Sequence, residues 1–233
     1  MFKYRIKQLI RDIFLYMGNP GNLFNFSPQH LKLIEYGPYD TVLHIGSDIG
    51  QELSLYNFIG VKRVIWIEPI KKSLRKIKVR SIFYPRIKHI FINSLILDKS
   101  GQLTHFYEFK GSGASSIYKP TSEFLDQNKG RYPVKTHSFT SKTIQDTLKE
   151  SYVGLNGRDN LLIIDAQCAE LKILKGFSQE LIDHFRILMC EISVNQYLTD
   201  TTPTELVSLI HEFGFTEVLT PIRESDDGIY VKF

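Results

Sequence analysis

The chain has 233 residues, of which 42% are hydrophobic and 23% are charged. These fractions are typical of soluble globular proteins and exclude a largely disordered chain. The length fits one domain, or one domain with a small appendage, and such a chain buries roughly 70% of its unfolded surface without a disulfide or a metal. No apolar run approaches the roughly 20 residues that span a bilayer.

Residues 1–38 are predicted to form an N-terminal helical segment ahead of a domain at 39–233. Within residues 1–17, apolar side chains recur at helical spacing and basic residues lie mostly between them. The charges interrupt the apolar run, so the segment is not a signal peptide. Such a helix packs onto its own domain or onto a second subunit of a homo-oligomer, or it lies on an anionic membrane surface.

The two cysteines, Cys168 and Cys190, lie in mostly apolar runs and are too few for a disulfide framework. We expect free thiols in a reducing compartment, which predicts a cytoplasmic protein.

The net charge of +4 is distributed unevenly, because residues 71–88 contain eight basic residues and no acid. A run of this kind is usually a solvated helix face. The alternative is a site for an anionic partner, such as a sugar phosphate or a phospholipid head group. Nucleic acid is not expected as a partner, since Phe83 and Tyr84 are the only aromatic residues in the run.

Short apolar runs alternate with helical stretches from Thr41 onward. Strands are predicted at 41–45, 63–67, 87–92, 161–164 and 187–192. Mostly apolar strands separated by helices indicate a parallel sheet that is covered on both faces.

Two regions of the chain do not follow this alternation of apolar strands and helices: the segment between the third and fourth strands, and the segment after the fifth. An insertion at about 101–140 contains alternating strands at 103–109 and 134–139 around a polar loop at 111–116. After the fifth strand, Thr202 and Pro203 predict a helix start, and Gly214 predicts its end. Two further strands are predicted at 217–220 and 228–233.

A glycine-containing loop joins the first strand to a helix, with the sequence HIGSDIGQ at 44–51. Glycine permits a sharp turn and a close approach of the backbone to a ligand, and the following helix start offers unpaired N–H groups. Alone, the loop indicates only some nucleotide-like ligand.

Glu68 ends the second strand, 18 residues after Gly50. An acid at this place can accept both hydroxyl hydrogens of a ribose, in NAD or in S-adenosylmethionine. Two glycines four positions apart, rather than the three of the dinucleotide motif, favour S-adenosylmethionine, as does a helix-free C-terminal hairpin. The alternative is a plain tight turn followed by a surface acid.

Four blocks of the sequence resemble the FkbM-type methyltransferase family over 41–233. The first two are the loop at 44–51, close to the family's DVGANxGQ, and the acid–proline pair Glu68–Pro69. The third is the serine-rich GASS at 113–116. The fourth and most specific is LLIIDAQCAELKILKG at 161–176.

The resemblance implies a Rossmann-like α/β methyltransferase fold, with a mostly parallel seven-stranded sheet, helices on both faces and an antiparallel last strand. It implies an S-adenosylmethionine-dependent O-methyltransferase that acts on a hydroxyl of a sugar, a glycan or a related small molecule. The implied cofactor-binding residues are Gly46, Ser47, Asp48, Gly50, Gln51, Glu68, Pro69 and Ser94. The implied substrate-site residues are Ser115, Ser116, Cys168 and Glu191.

Asp165 is the strongest candidate for catalysis, because it ends a buried strand at the edge where α/β sheets bind ligands. It could take the proton of a hydroxyl acceptor, or bind a divalent cation such as Mg²⁺. Glu170 and Glu191 could join either role, although an acid in the first turn of a helix, as at Glu170, is also favoured structurally. His44 is a candidate that titrates near neutrality, or a structural support behind the cofactor.

His137 in the insertion is a further candidate base.

Three positions depart from the family pattern. His44 stands where many members have an acid, Ile163 where a lysine is common and Cys168 where the family has glycine. His44 and Cys168 motivate the alternative of a catalytically impaired S-adenosylmethionine-binding protein. An NAD-linked oxidoreductase is supported only by the fold class.

Overall fold

The computed structural model describes residues 27–111, 113–193, 196–220 and 227–233. The predicted amphipathic segment at 1–17 and Ser112 of the polar loop lie outside these ranges. The helices are α1 (Pro28–Tyr36), α2 (Leu53–Phe58), α3 (Lys71–Ser81), α4 (Ser122–Gln127), α5 (Ile144–Glu150), α6 (Glu170–Lys175), α7 (Gln179–Ile182) and α8 (Pro203–Glu212). The strands are β1 (Thr41–Ile45), β2 (Arg63–Ile67), β3 (Lys88–Ile92), β4 (Leu103–Phe109), β5 (Pro133–Thr140), β6 (Asn160–Ile164), β7 (Phe185–Glu191), β8 (Thr216–Leu219) and β9 (Asp227–Val231).

The main sheet has seven strands in the order β3-β2-β1-β6-β7-β9-β8. Strands β3, β2, β1, β6 and β7 run parallel, and β9 runs antiparallel between β7 and β8. The predicted α/β fold with an antiparallel last strand is confirmed. Strand β7 begins at Phe185, two residues before the predicted start, because Asn160 of β6 already pairs with Phe185.

Both faces of the sheet are buried, as expected for parallel strands that carry apolar residues on each side. Leu43, Ile65 and Leu188 face a core that includes residues of α6 and α8. Val42, Val64 and Ile187 face the opposite core, which includes residues of α1, α2 and α3. The carboxyl ends of β1, β2 and β6 therefore lie side by side at one edge of a rigid sheet.

The predicted start of α8 is confirmed in detail. The Thr202 hydroxyl accepts a hydrogen bond from the Glu205 amide, and the Glu205 side chain accepts from the Thr202 amide in return. This reciprocal arrangement satisfies two N–H groups that the helix start leaves unpaired. None of the helices in the described ranges is long and apolar enough to cross a membrane.

The insertion forms a separate two-stranded antiparallel sheet of β4 and β5. The segments that precede and follow it are held together by a hydrogen bond from the Leu97 amide to the carbonyl of Lys142. Phe106 of β4 is buried in the core on the α6 and α8 side. The insertion consequently stands beside the carboxyl ends of the parallel strands.

Candidate functional site

A cavity of about 1010 Å³ lies at the carboxyl ends of β1, β2, β3 and β6. Its volume is at the upper end of the range for small-molecule sites, which leaves room for two ligands. It brings together many of the residues predicted from the sequence, namely Gly46, Asp48, Glu68, Pro69, Ser94, Ser115 and Asp165.

Gly46 occupies a position that only glycine fits. Its φ angle is +80°, and a Cβ atom built there would lie 1.8 Å from the carbonyl oxygen of Asp165. The Gly46 amide donates to the carbonyl of Ile67, 3.0 Å away. The loop after β1 thus runs in contact with the loop after β6, and the missing side chain allows this crossing.

Gly50 has a different structural role and does not line the cavity. A Cβ atom there would lie 3.1 Å from Cγ2 of Ile77 in α3, at a φ of +65°. The Arg80 guanidinium donates to the carbonyls of Ile49 and Gly50, at 2.8 and 2.7 Å. Gly50 and Arg80 therefore hold the loop against α3.

Glu68 lies at the cavity wall with both carboxylate oxygens bonded to the backbone. Oε2 accepts from the amide of Asp48 at 3.0 Å, and Oε1 accepts from the amide of Ile70 at 2.8 Å. Burial disfavours the charged form and raises the pKa of Glu68 to about 8. Since a carboxylate offers about four acceptor positions, it keeps lone pairs for a ligand.

Asp48 has a free acceptor oxygen beside Glu68. Its Oδ1 accepts from the Ser73 hydroxyl, whereas its buried Oδ2 accepts no hydrogen bond from a described residue. Burial raises the pKa of Asp48, and the charge of Lys76 opposes this effect. An unpaired buried oxygen is costly, so a donor group of a ligand is favoured at this place.

Asp165 and Glu191 form a carboxyl pair bridged by an amide. The Gln167 side chain donates to Oδ1 of Asp165 at 2.9 Å and to Oε2 of Glu191 at 2.6 Å. Asp165 lines the cavity, whereas Glu191 is buried behind it. Burial raises the pKa of both carboxyls, and the charge of Asp165 raises that of Glu191 further.

Gln167 is itself held by the insertion. Its backbone carbonyl accepts a hydrogen bond from the hydroxyl of Ser116 at 2.6 Å. The Tyr197 hydroxyl lies 3.1 Å from Oε1 of Gln167 and 2.8 Å from the carbonyl of Ala114. Ser116 is buried and does not line the cavity, so the structure places it as a support of the Asp165 loop, while Ser115 lines the cavity.

Glu170 supports the same loop through a hydrogen bond to its backbone. Its Oε1 accepts from the amide of Ala166 at 2.7 Å, and the residue is buried outside the cavity lining. Burial raises the pKa of Glu170 from its ordinary value of 4.5 to about 8. This position favours loop support over direct contact with a substrate.

A Glu170→Gln variant should gain stability over the wild type as the pH rises. A carboxyl with a raised pKa in the folded state stabilises fully below its unfolded pKa, and this contribution is lost as the pH rises through the folded value. The window is therefore about pH 4.5 to 8. Glutamine keeps the acceptor for Ala166 but does not titrate, so the difference in free energy of unfolding should grow by more than about 1 kcal/mol across this window. Urea unfolding of both proteins at several pH values measures it, and a constant difference would contradict the shifted pKa.

Cys168 adopts a left-handed backbone conformation, with a φ of +75°. Its side chain packs with Phe109, Phe124 and Tyr197, and Cys168 is not among the residues that line the cavity. Burial raises the pKa of the Cys168 thiol to about 12, so the group is a neutral thiol rather than a nucleophilic thiolate. The φ angle gives a physical reason for the glycine of the family pattern at this position.

A Cys168→Gly variant should be more stable than Cys168→Ala by about 1 kcal/mol. At most positions alanine is the more stabilising of the two, because glycine loses more backbone freedom on folding. The positive φ reverses that order, and both variants lose the same sulfur contacts. Paired thermal or urea unfolding of the two variants measures the difference, and a more stable alanine variant would contradict the left-handed conformation.

His44 lies outside the cavity lining, within an aromatic cluster. Its Nδ1 is 2.9 Å from the Tyr56 hydroxyl, and its ring lies 5.6 Å from that of Trp66. The residue is 2% exposed, and burial lowers its pKa to about 3. A neutral, buried histidine here fits the structural alternative stated above rather than the catalytic one.

The remaining predicted residues take other places. Ser47 is buried with its hydroxyl on the carbonyl of Ile67, and Gln51 is exposed outside the cavity lining. His137 pairs with Glu108, Nε2 to Oε2 at 2.7 Å, and Glu108 lines the cavity. Within the described ranges, no group of three or more His, Cys, Asp or Glu side chains could hold a metal ion, so the predicted metal at Asp165 gains no support.

Sequence reasoning missed that one face of α3 lines the cavity. The residues of α3 that line it include Lys72, Arg75, Lys76, Val79 and Arg80. Their spacing of three and four residues places them on one side of a helix. The buried Leu74 and Ile77 mark the other side, and this pattern could have separated cavity-lining cations from the rest of the basic run.

The sequence matches the family described as methyltransferase FkbM domain over residues 44–217. The chain belongs to the FkbM methyltransferase family. The family and the fold are those of S-adenosylmethionine-dependent methyltransferases.

Solved structures share the fold at low sequence identity. A methyltransferase FkbM from Methylobacillus flagellatus KT is 14% identical, with a TM-score of 0.50 over 94% of this chain. This chain spans about half of that protein, 47% of its length. An O-methyltransferase from Bacillus cereus in complex with SAH is 12% identical, with a TM-score of 0.47 over 97% of this chain and 91% of the other. A comparison with curated proteins found no match.

Proposed function

We propose that this protein is an S-adenosylmethionine-dependent O-methyltransferase whose acceptor is a hydroxyl of a sugar, a glycan or a related small molecule. The observation that carries the proposal is that Gly46, Glu68 and Asp165 line one cavity. The contact between Gly46 and the carbonyl of Asp165 joins a donor loop to a candidate base.

The described residues fit the donor. Glu68 keeps free acceptor positions for ribose hydroxyls, and Asp48 Oδ2 is an open acceptor for an ammonium group. The bound donor would supply an electrophilic methyl group on a sulfonium. Ile45, Ile67 and Leu95 give the cavity apolar walls, which help to exclude water during the displacement.

In the proposed reaction, Asp165 takes the proton of the acceptor hydroxyl. Its raised pKa brings it nearer to the pKa of an effective base at neutral pH. Gln167 orients its carboxyl, and Glu170 together with Ser116 fixes the loop that carries it. Ser115, Glu108 and Phe106 of the insertion form the wall from which an acceptor would be contacted.

A Glu68→Ala variant tests the donor site by isothermal titration with S-adenosylhomocysteine. The loss of two hydrogen bonds to the ribose hydroxyls should weaken binding by about tenfold or more. NAD should not bind the wild type measurably. Binding within twofold of the wild type would overturn the ribose assignment, and no binding of S-adenosylhomocysteine by the wild type would overturn the proposed function.

The alternative of a catalytically impaired binding protein was motivated by His44 and Cys168. Neither residue lines the cavity. Their departures from the family pattern are accommodated by the aromatic cluster and by the packing around Phe109, so no observation favours this alternative.

A further inference from the structure

Four cations of α3 line the cavity, and three of them do not bind the glycine loop as Arg80 does. Lys72, Arg75 and Lys76, here called the cationic face, are exposed at the cavity and occupy positions i, i+3 and i+4 of the helix. None of them forms an ion pair with a carboxylate of the described residues. Lys110, directly after β4, adds a further cation to the lining and lies over the ring of Tyr132.

The helix that carries the cationic face is fixed in orientation. Leu74 and Ile77 are buried on its opposite side, and Arg80 binds the carbonyls of the glycine loop. The helix therefore cannot rotate so as to move all three cations out of the cavity wall. Bringing like charges to one wall is unfavourable unless an anion or solvent compensates them.

The charges of the cavity are separated by depth. The carboxyls of Glu68, Asp48, Asp165 and Glu108 are buried or half-buried, and Glu108 is paired with His137. Lys72, Arg75 and Lys76 are exposed. A donor that carries a sulfonium and an ammonium is matched by the inner carboxyls. It does not explain an outer wall of cations, which matches negative charge on a second ligand.

We propose that the acceptor carries an anionic group, a carboxylate or a phosphate on a sugar, which Lys72 and Arg75 bind while a hydroxyl of the same molecule reaches Asp165. This inference rests on the proposed function. Arginine matches carboxylate and phosphate oxygens in a bidentate geometry, and lysine adds a point charge. Lys76 contributes less, because its charge also acts on Asp48.

Calorimetric titration of the full chain in the presence of saturating S-adenosylhomocysteine tests the inference. The probes are glucose 1-phosphate, glucuronic acid and glucose. At least one anionic probe should bind about tenfold more tightly than glucose, and the better one shows which anion is preferred. Equal affinity for all three, including no measurable binding of any, overturns the inference.

Two double variants separate a specific site from bulk charge. Lys72→Gln/Arg75→Gln should weaken the preferred anionic probe by about tenfold and leave S-adenosylhomocysteine affinity within twofold. Lys71→Gln/Lys78→Gln removes the same charge from the same helix outside the cavity lining, and it should leave both affinities unchanged. Equal weakening by both variants overturns the inference. Failure of the proposed function is distinct from either result, since it appears as absent S-adenosylhomocysteine binding.

Discussion

A Gly46→Ala variant is expected to lose at least about 3 kcal/mol of unfolding free energy. A left-handed φ costs an alanine about 1 to 2 kcal/mol, and the added Cβ would overlap the carbonyl oxygen of Asp165, 1.8 Å away. Because that oxygen belongs to the backbone, relief requires the loops after β1 and β6 to separate. Denaturant unfolding measures the loss, and titration with S-adenosylhomocysteine should show binding abolished in any folded fraction.

A Gly101→Ala variant is the matched control. Gly101 has a φ of +83°, close to that of Gly46, but a Cβ there would meet no atom within 4 Å. We expect a loss of only about 1 to 2 kcal/mol and unchanged ligand binding. Equal losses for the two variants would mean that the conformational cost alone accounts for Gly46, and that the contact with the Asp165 loop contributes nothing.

Much of the fold was predictable because the parallel strands are short, apolar and separated by helices. The bounds of β1 and β2 agree with prediction, since each run ends at a glycine or at an acid followed by proline. The cavity position was predictable for the same reason, because carboxyl ends of parallel strands lie at one edge. Glu68 and Asp165 follow directly from this rule.

The burial of His44 could be predicted from its own neighbours, but its hydrogen-bond partner could not. It lies between Leu43 and Ile45 in a strand whose two faces are both buried, so burial could be expected. Its partner Tyr56 belongs to α2, and only the packing of that helix on the sheet brings the two within 2.9 Å. The sequence around His44 does not show which residue of another element contacts its ring.

The Asp165 loop explains why some of the predicted substrate-site residues support the loop, whereas others line the cavity. Gln167 and Cys168 both have positive φ, at +53° and +75°, which is costly for side chains other than glycine. Hydrogen bonds from Ser116 and Tyr197 to Gln167 hold this conformation. Ser116 therefore serves the geometry of the loop, whereas Ser115, one residue earlier, faces the cavity.

An Asp165→Asn variant should lose at least about 100-fold in methyl transfer if Asp165 is the general base. Asparagine keeps the size of the side chain and an oxygen that can accept from Gln167, but it cannot take a proton at neutral pH. S-adenosylhomocysteine affinity should stay within about twofold, since the change leaves Glu68 and Asp48 in place. Activity of the wild type should rise with pH, because the raised pKa of Asp165 keeps part of the base protonated at lower pH.

Glu108→Gln is the decisive comparison, since Glu108 is a second carboxyl in the cavity lining and pairs with His137. Activity is measured as S-adenosylhomocysteine released with an acceptor that the wild type uses. A loss confined to Asp165→Asn assigns proton removal to Asp165, with Glu108 and His137 belonging to the acceptor wall. If Asp165→Asn keeps full activity and Glu108→Gln loses it, the base is the Glu108–His137 pair, and the loop after β6 serves only to close the donor site against Gly46.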